Sequence, residues 1–236
     1  MFQYSGGDGR KLFNIIDTVV SSFPPDKQII INNKNVKLQI QLNPAAYDKN
    51  GEMHYDIISA FIKSIRGSDP NAAIYWLGRM VQGGEDPKFI ARRLIISAAE
   101  DIGLANPNAL LLANSTFDAI EKIGWPEGRI PLAETTIYLA CSPKSNSAYM
   151  AINKAMQIVE QTGNLPVPLH LRNAPTKLMK EFGYGADYKY PHDYPNHFIE
   201  QQYMPDKLKD ISIWESQPNR AEEKLRNNLD LLWHKK

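Results

Sequence analysis

Residues 67–107 read GSDPNAAIYWLGRMVQGGEDPKFIARRLIISAAEDIGLANP, and their punctuation decides the fold class. Asp69-Pro70, Asp86-Pro87 and Asn106-Pro107 each set a side-chain acceptor at a helix start and a proline at its first position. There the missing proline N–H costs nothing, because that donor has no partner inside a helix. Gly67, Gly83-Gly84 and Gly103 stand just ahead of these pairs, where the preceding helix stops. Between the marks, Ala73, Trp76, Leu77, Met80 and Val81 recur at helical spacing, and Ile90, Leu94, Ala98 and Ile102 do so again.

The same pattern continues outward. Upstream, Ile57, Ile58, Phe61, Ile62 and Ile65 form a stripe. Downstream come Leu110, Ala113, Phe117 and Ile120, then Ala133, Ile137, Ala140 and Cys141, then Ala148, Ile152, Ala155, Met156 and Val159. Connections this short predict antiparallel neighbours, so residues 53–162 read as a compact helical domain.

The flanks differ from this centre. Residues 11–22 predict a short helix, broken by Pro24-Pro25. The stretch QIIINNKNVKLQIQ supports two readings: a hairpin turning at Asn32-Asn33, or a helix from Lys34 capped by Asn33. After Gly163 the chain turns rich in Pro, Tyr and His, with one short helix expected near 175–182. A long irregular stretch of this kind wraps a core or makes an interface. The end, AEEKLRNNLDLLWHKK, predicts a terminal helix with Leu225, Leu229 and Leu232 aligned.

Composition bounds the classes of function. Of 236 residues, 43% are hydrophobic and 22% charged, an ordinary globular balance. The 27 basic and 26 acidic side chains leave no global field for nucleic acid or an acidic membrane, so any such contact needs a local patch. A single cysteine, Cys141, cannot pair internally, and no apolar run approaches the roughly 20 residues of a membrane span. The expectation is a soluble cytoplasmic chain without membrane contact.

No nucleophile elbow, zinc-ligand cluster or dinucleotide fingerprint occurs. Among the five histidines only those of HDYPNH, His192 and His197, come near each other and a carboxylate, and surface residues of a Pro-rich loop need no metal. The expectation is therefore no metal site. Glu100 and Asp101 are adjacent and face different ways, which argues for a solvated or salt-bridged surface rather than an acid/base pair. Cys141 sits on an apolar stripe and reads as a small buried hydrophobe.

Two basic features are candidate contacts for phosphate or DNA. Arg66, Arg79, Arg92 and Arg93 fall on neighbouring helices; the simpler alternative is pairing with nearby acids. The run GYGADYKYPHDYPNHF, with Tyr188 and Tyr190, follows Lys177 and Lys180 and interleaves rings with bases as single-strand platforms do. Tyrosines anchoring an irregular segment would look the same.

The N-terminal SGGDGRKLFNIID resembles the sensor-2 helix in the lid of AAA+ ATPases. HYDIISAFIKSIRGSDPNAAIYWLGRMVQGGEDPKFIARRLIISAAEDIGLANP, with IYLACSPKSNSAY and VPLHLRNAPTKLMKEFGYGADYKYPHD, is similar to the replication-associated recombination protein A family, also called MgsA. The Werner-helicase-interacting ATPase is its eukaryotic relative. The resemblance runs from Ser5 to about Asp193; Gly9 stands where the family usually has alanine, and the ending from Tyr194 does not match closely.

This resemblance implies an all-α fold: a small AAA+ lid remnant, then a helical bundle like the collar of clamp-loader subunits, with an irregular Pro/Tyr-rich C-terminal segment. The expected divisions are residues 1–45 for the lid, 46–193 for the oligomerisation domain and 194–236 for an extension. It tips the ambiguous segment toward strand, turn and helix. Arg10 would be the sensor-2 arginine reaching the γ-phosphate of ATP, aimed by a turn of Gly7, Asp8 and Gly9. A guanidinium suits that task because it offers several fixed N–H donors to phosphate oxygens.

No P-loop signature G-x-x-x-x-G-K-[ST] occurs in the sequence. The implication is a C-terminal fragment, its Met1 introduced as a start, with no catalysis or cofactor of its own. The parent would be a DNA-dependent ATPase using ATP and Mg2+. The family implies a homotetramer, action on DNA at replication forks, a single-strand-binding protein as partner, and a nucleoid-associated place in the cytoplasm.

Overall fold

The computed structural model describes residues 9–24, 29, 31–42 and 52–233. The chain falls into two compact units, residues 1–98 with 108–142, and residues 99–107 with 143–236. Among the described residues there is no strand, and the fold is all-α.

The first unit opens with α1 (Gly9–Ser21) and α2 (Asn33–Leu42), which pack on each other. Ile15 and Val19 of α1 meet Val36 of α2, with Phe23 against them. The helix half of the ambiguous stretch therefore holds, from Asn33 on, and the hairpin does not; Ile29 and Ile31 are irregular, and Gln28 and Ile30 lie outside the described residues. The cap is Asn32 rather than Asn33: its side-chain oxygen accepts the Asn35 N–H at 2.9 Å.

Then follow α3 (Glu52–Arg66), α4 (Pro70–Gln82), α5 (Pro87–Ser97), α6 (Asn108–Ile123) and α7 (Arg129–Cys141). The aspartate–proline starts behave as their chemistry requires. Asp69 accepts the Ala72 N–H at 2.9 Å, and Asp86 accepts the Lys88 N–H at 3.0 Å. Helix α7 is the hub, touched by α3, α4, α5 and α6. Phe61 and Ile65 of α3, Ala73 and Leu77 of α4, and Ile90 and Leu94 of α5 supply the buried core, as their spacing predicts.

Around α7 the prediction needs correction. Its buried face is Leu132, Thr135, Thr136, Leu139 and Ala140, while Ile137 and Cys141 are exposed. Two threonines take core positions because their hydroxyls are satisfied there. Thr116 of α6 and Thr135 share a hydrogen bond of 2.5 Å, and Thr136 donates to the Leu132 carbonyl at 2.7 Å. On α6 the buried positions are Ala109, Ala113, Thr116 and Ile120, and Leu110 of the expected stripe is exposed.

After α5 the chain makes a π-helical turn, Ala98–Ile102, and a 3₁₀ turn, Gly103–Ala105. Residues 99–107 belong to the second unit, with α8 (Ser147–Thr162), α9 (Lys177–Glu181) and α10 (Arg220–Trp233). The 3₁₀ turn touches both α8 and α10. Gly103 has φ +47°, and a Cβ there would stand 2.7 Å from the Ser145 carbonyl oxygen. Only glycine permits this approach. Asp101 is buried in the π turn, its carbonyl accepting the Ser145 N–H at 2.8 Å, so of the two readings, solvated or salt-bridged, the solvated one fails.

Between α8 and α10 the chain is mostly irregular, as expected, and short polar ties hold it. Arg172 donates to the Val167 carbonyl at 2.7 Å and to the Tyr184 hydroxyl at 3.1 Å, its guanidinium also lying over the Tyr184 ring. The Gln201 carboxamide accepts the Lys189 N–H and donates to the Lys189 carbonyl. Phe198 meets Trp233 of α10 edge-on at 5.2 Å.

Candidate functional site

Gly9 opens α1, and Arg10 and Lys11 follow in its first turn, which holds no acidic residue. Gly7 and Asp8 lie outside the described residues, as does the side chain of Arg10. The first turn of a helix carries the positive end of the dipole, so two cations there oppose helix stability.

Of the basic candidates in the first unit, Arg66 ends α3 and Arg79 lies in the last turn of α4. Arg79 sits over the Trp76 ring at 5.4 Å, and Arg93 over the Phe89 ring at 4.9 Å. Arg92 pairs with the helix-capping Asp86 at 3.5 Å. Both groups of that pair are about half exposed, so it adds little stability. Each of these three arginines thus has a local partner.

In the second unit, Lys177 and Lys180 lie on the short α9, and Tyr188 and Tyr190 are exposed. Tyr184, by contrast, is tied to Arg172 as an anchor. The tyrosine-rich run therefore divides between anchoring rings and rings open to solvent. His192 and His197 rings lie 5.1 Å apart, with Tyr190 at 5.1 Å from His192. Among the described residues no group of three or more His, Cys, Asp or Glu could hold a metal.

The largest departure from the predicted core is α8. Its stripe was expected to be covered, yet Ile152 is 57% exposed, Met156 65% and Val159 60%, with Tyr149 and Met150 also open. Only Ser147 of that helix is buried. An isolated helix gains little from an apolar face left in water, and this one is an exposed apolar patch among the described residues.

Sequence reasoning missed the group that holds the second unit together. Glu222, in the first turn of α10, has no exposed surface. It accepts hydrogen bonds from the Ser145 hydroxyl, the Gln217 N–H at 3.0 Å and the Asn219 carboxamide at 3.0 Å. Asn219 in turn accepts the Glu222 N–H at 2.9 Å. Burial raises the carboxyl pKa, and the bonds from Ser145, Gln217, Asn219 and Ser147 outweigh it, holding the group below its usual 4.5. The signal was present as Asn219-Arg-Ala-Glu222, the spacing of a capping box.

Among the described residues no helix is long and apolar enough to cross a membrane. Comparison with known families matches residues 67–233 to the MgsA AAA+ ATPase C-terminal family and residues 1–66 to an AAA C-terminal domain. The boundary between them falls at the end of α3. The match runs through the region after Tyr194 and so corrects the earlier limit of the resemblance. The replication-associated recombination protein A of Bacillus subtilis is 43% identical over 98% of this chain and 55% of its own length. That of Coxiella burnetii is 42% identical over 87% of this chain and 47% of its own. ATPase WRNIP1 of Dictyostelium discoideum is 36% identical over 90% of this chain and 26% of its own length. The chain thus spans about half the length of the two bacterial relatives. With that family's model matching residues 67–233, well over half of the sequence, the chain belongs to the MgsA AAA+ ATPase C-terminal family.

Proposed function

We propose that this chain is the oligomerisation and regulatory module of a AAA+ ATPase acting in replication-fork maintenance, recombination and repair. The parent protein would bind ATP and Mg2+ and carry out hydrolysis; this stretch would assemble its subunits and report on the nucleotide. Arg10, in the first turn of α1, is the residue we assign to sensing the γ-phosphate, with Gly7, Asp8 and Gly9 shaping its approach. One observation carries the reading: a chain of this family leaves the apolar face of α8 uncovered, with Ile152, Met156 and Val159 each more than half exposed. A second copy of the chain is the simplest partner for such a face, and four copies the expected number.

Sedimentation velocity tests this between about 1 and 100 µM, concentrations at which interfaces of micromolar affinity are populated. The expected result is a mass that climbs to that of a tetramer. A monomer throughout would overturn the assignment.

A second reading is favoured by the exposed Tyr188 and Tyr190 near Lys177 and Lys180: contact with single-stranded DNA. With a net charge of only +1, such binding must be local. Fluorescence anisotropy with a labelled oligothymidylate should show binding at low salt that weakens as salt rises, roughly in proportion to the few phosphates neutralised. Affinity unchanged by a tyrosine-to-alanine double substitution at these positions would count against it. A single-strand-binding protein remains part of the proposal as a partner of the parent assembly.

A further inference from the structure

Helices α4 and α7 of the first unit enclose a groove of about 890 Å³ whose walls are almost wholly apolar. Ile74, Tyr75, Gly78 and Val81 line it from α4, Ile130 and Ala133 from α7. Tyr75 and Ile130 are both about 60% exposed, so the groove is open to solvent.

Gly78 is the informative residue. It lies in the interior of α4, where glycine is among the poorest choices, and a Cβ placed on it would meet nothing within 4 Å. No packing among the described residues therefore asks for a glycine. A glycine on the floor of a groove keeps room for something that approaches the α4 backbone from outside.

Charge narrows what that visitor is. Arg79 and Arg129 line the groove, opposed by one carboxylate, Glu134. Neither arginine forms an ion pair among the described residues. Arg79 is steadied over Trp76, which fixes its guanidinium without occupying its N–H donors. Aromatic and arginine side chains beside an apolar pocket are the residues that dominate the energetics of protein docking.

We propose that this groove docks a short segment of a partner protein in which two or three large apolar side chains are flanked by carboxylates. The apolar side chains fill the space above Gly78, and the carboxylates accept hydrogen bonds from Arg79 and Arg129. This groove is lined by α4 and α7 rather than α8, and its first readout is peptide binding.

The experiment uses the whole chain and three fluorescein-labelled heptapeptides: Asp-Asp-Leu-Phe-Leu-Asp-Asp, the same with lysine for aspartate, and the same with serine for its three apolar residues. The acidic apolar peptide is expected to bind saturably with a Kd in the range of roughly 1–100 µM, and the other two at least about tenfold more weakly. Gly78→Leu fills the groove floor and should abolish binding while leaving the melting temperature unchanged or higher. Arg129→Ser should weaken the acidic peptide alone. Equal binding of the acidic and basic peptides, or binding that survives Gly78→Leu, would overturn the proposal. So would a drop in oligomeric mass for Gly78→Leu, since that would give the groove to a second copy of the chain.

Discussion

At the start of α10 a single carboxylate closes the helix and joins it to the loop before α8. Among the described residues Glu222 is buried with neutral donors and no counter-ion, so hydrogen bonds stabilise its charge there. Its pKa in the folded chain lies below the ordinary 4.5. A depressed carboxyl contributes stability that is complete above the unfolded value and is lost as pH falls through the folded one. Glu222→Gln should therefore destabilise the second unit by about 2–3 kcal/mol at pH 7, the scale of hydrogen bonds to a buried charged group. Thermal melts of both proteins at pH 7 and below pH 4 check this, and the gap between them should narrow in acid. A gap independent of pH would mean that the charge contributes nothing.

Residues such as this one mark where reading by hydrophobicity stops. The aliphatic core of α3 to α5 was legible because Phe61, Ile65, Ile90 and Leu94 can go nowhere else. Thr135, Thr136 and Glu222 were not, because a polar side chain becomes a core residue only when tertiary partners satisfy it. Cys141 shows the converse: an apolar neighbour in sequence did not make it buried.

At the scale of elements, helix starts were the most legible feature, because caps are local chemistry. Asp69 and Asp86 accept the expected N–H groups within their own first turns. Helix faces were less so. On α7, contact with four other helices blurs any single stripe, and the buried face sits beside the one that hydrophobicity selects. On α8 the stripe itself was right, but its covering was not: Ile152 and Met156 face solvent. Periodicity tells which side of a helix is apolar and cannot tell whether the cover belongs to the same chain. At Gly78 likewise, periodicity is silent: a Cβ there would meet nothing within 4 Å among the described residues, so packing between them does not ask for the glycine.

For the whole molecule, the first unit holds the paired α1 and α2 and the helical body of α3 to α7, and the second unit carries α8 with its apolar face open among the described residues. Arg10 was picked out by resemblance alone, while the open face of α8 was not legible, because among the described residues nothing covers it. A permanent interface should bury on the order of 2,000 Å² or more and carry an apolar centre. The most direct measurement of this claim is the mass of the chain by light scattering beside that of the double variant Ile152→Glu/Met156→Glu, both also followed by circular dichroism. A concentration-dependent oligomer is expected for the unsubstituted chain, and a monomer of equal helicity for the variant. An identical oligomer from both proteins would contradict it.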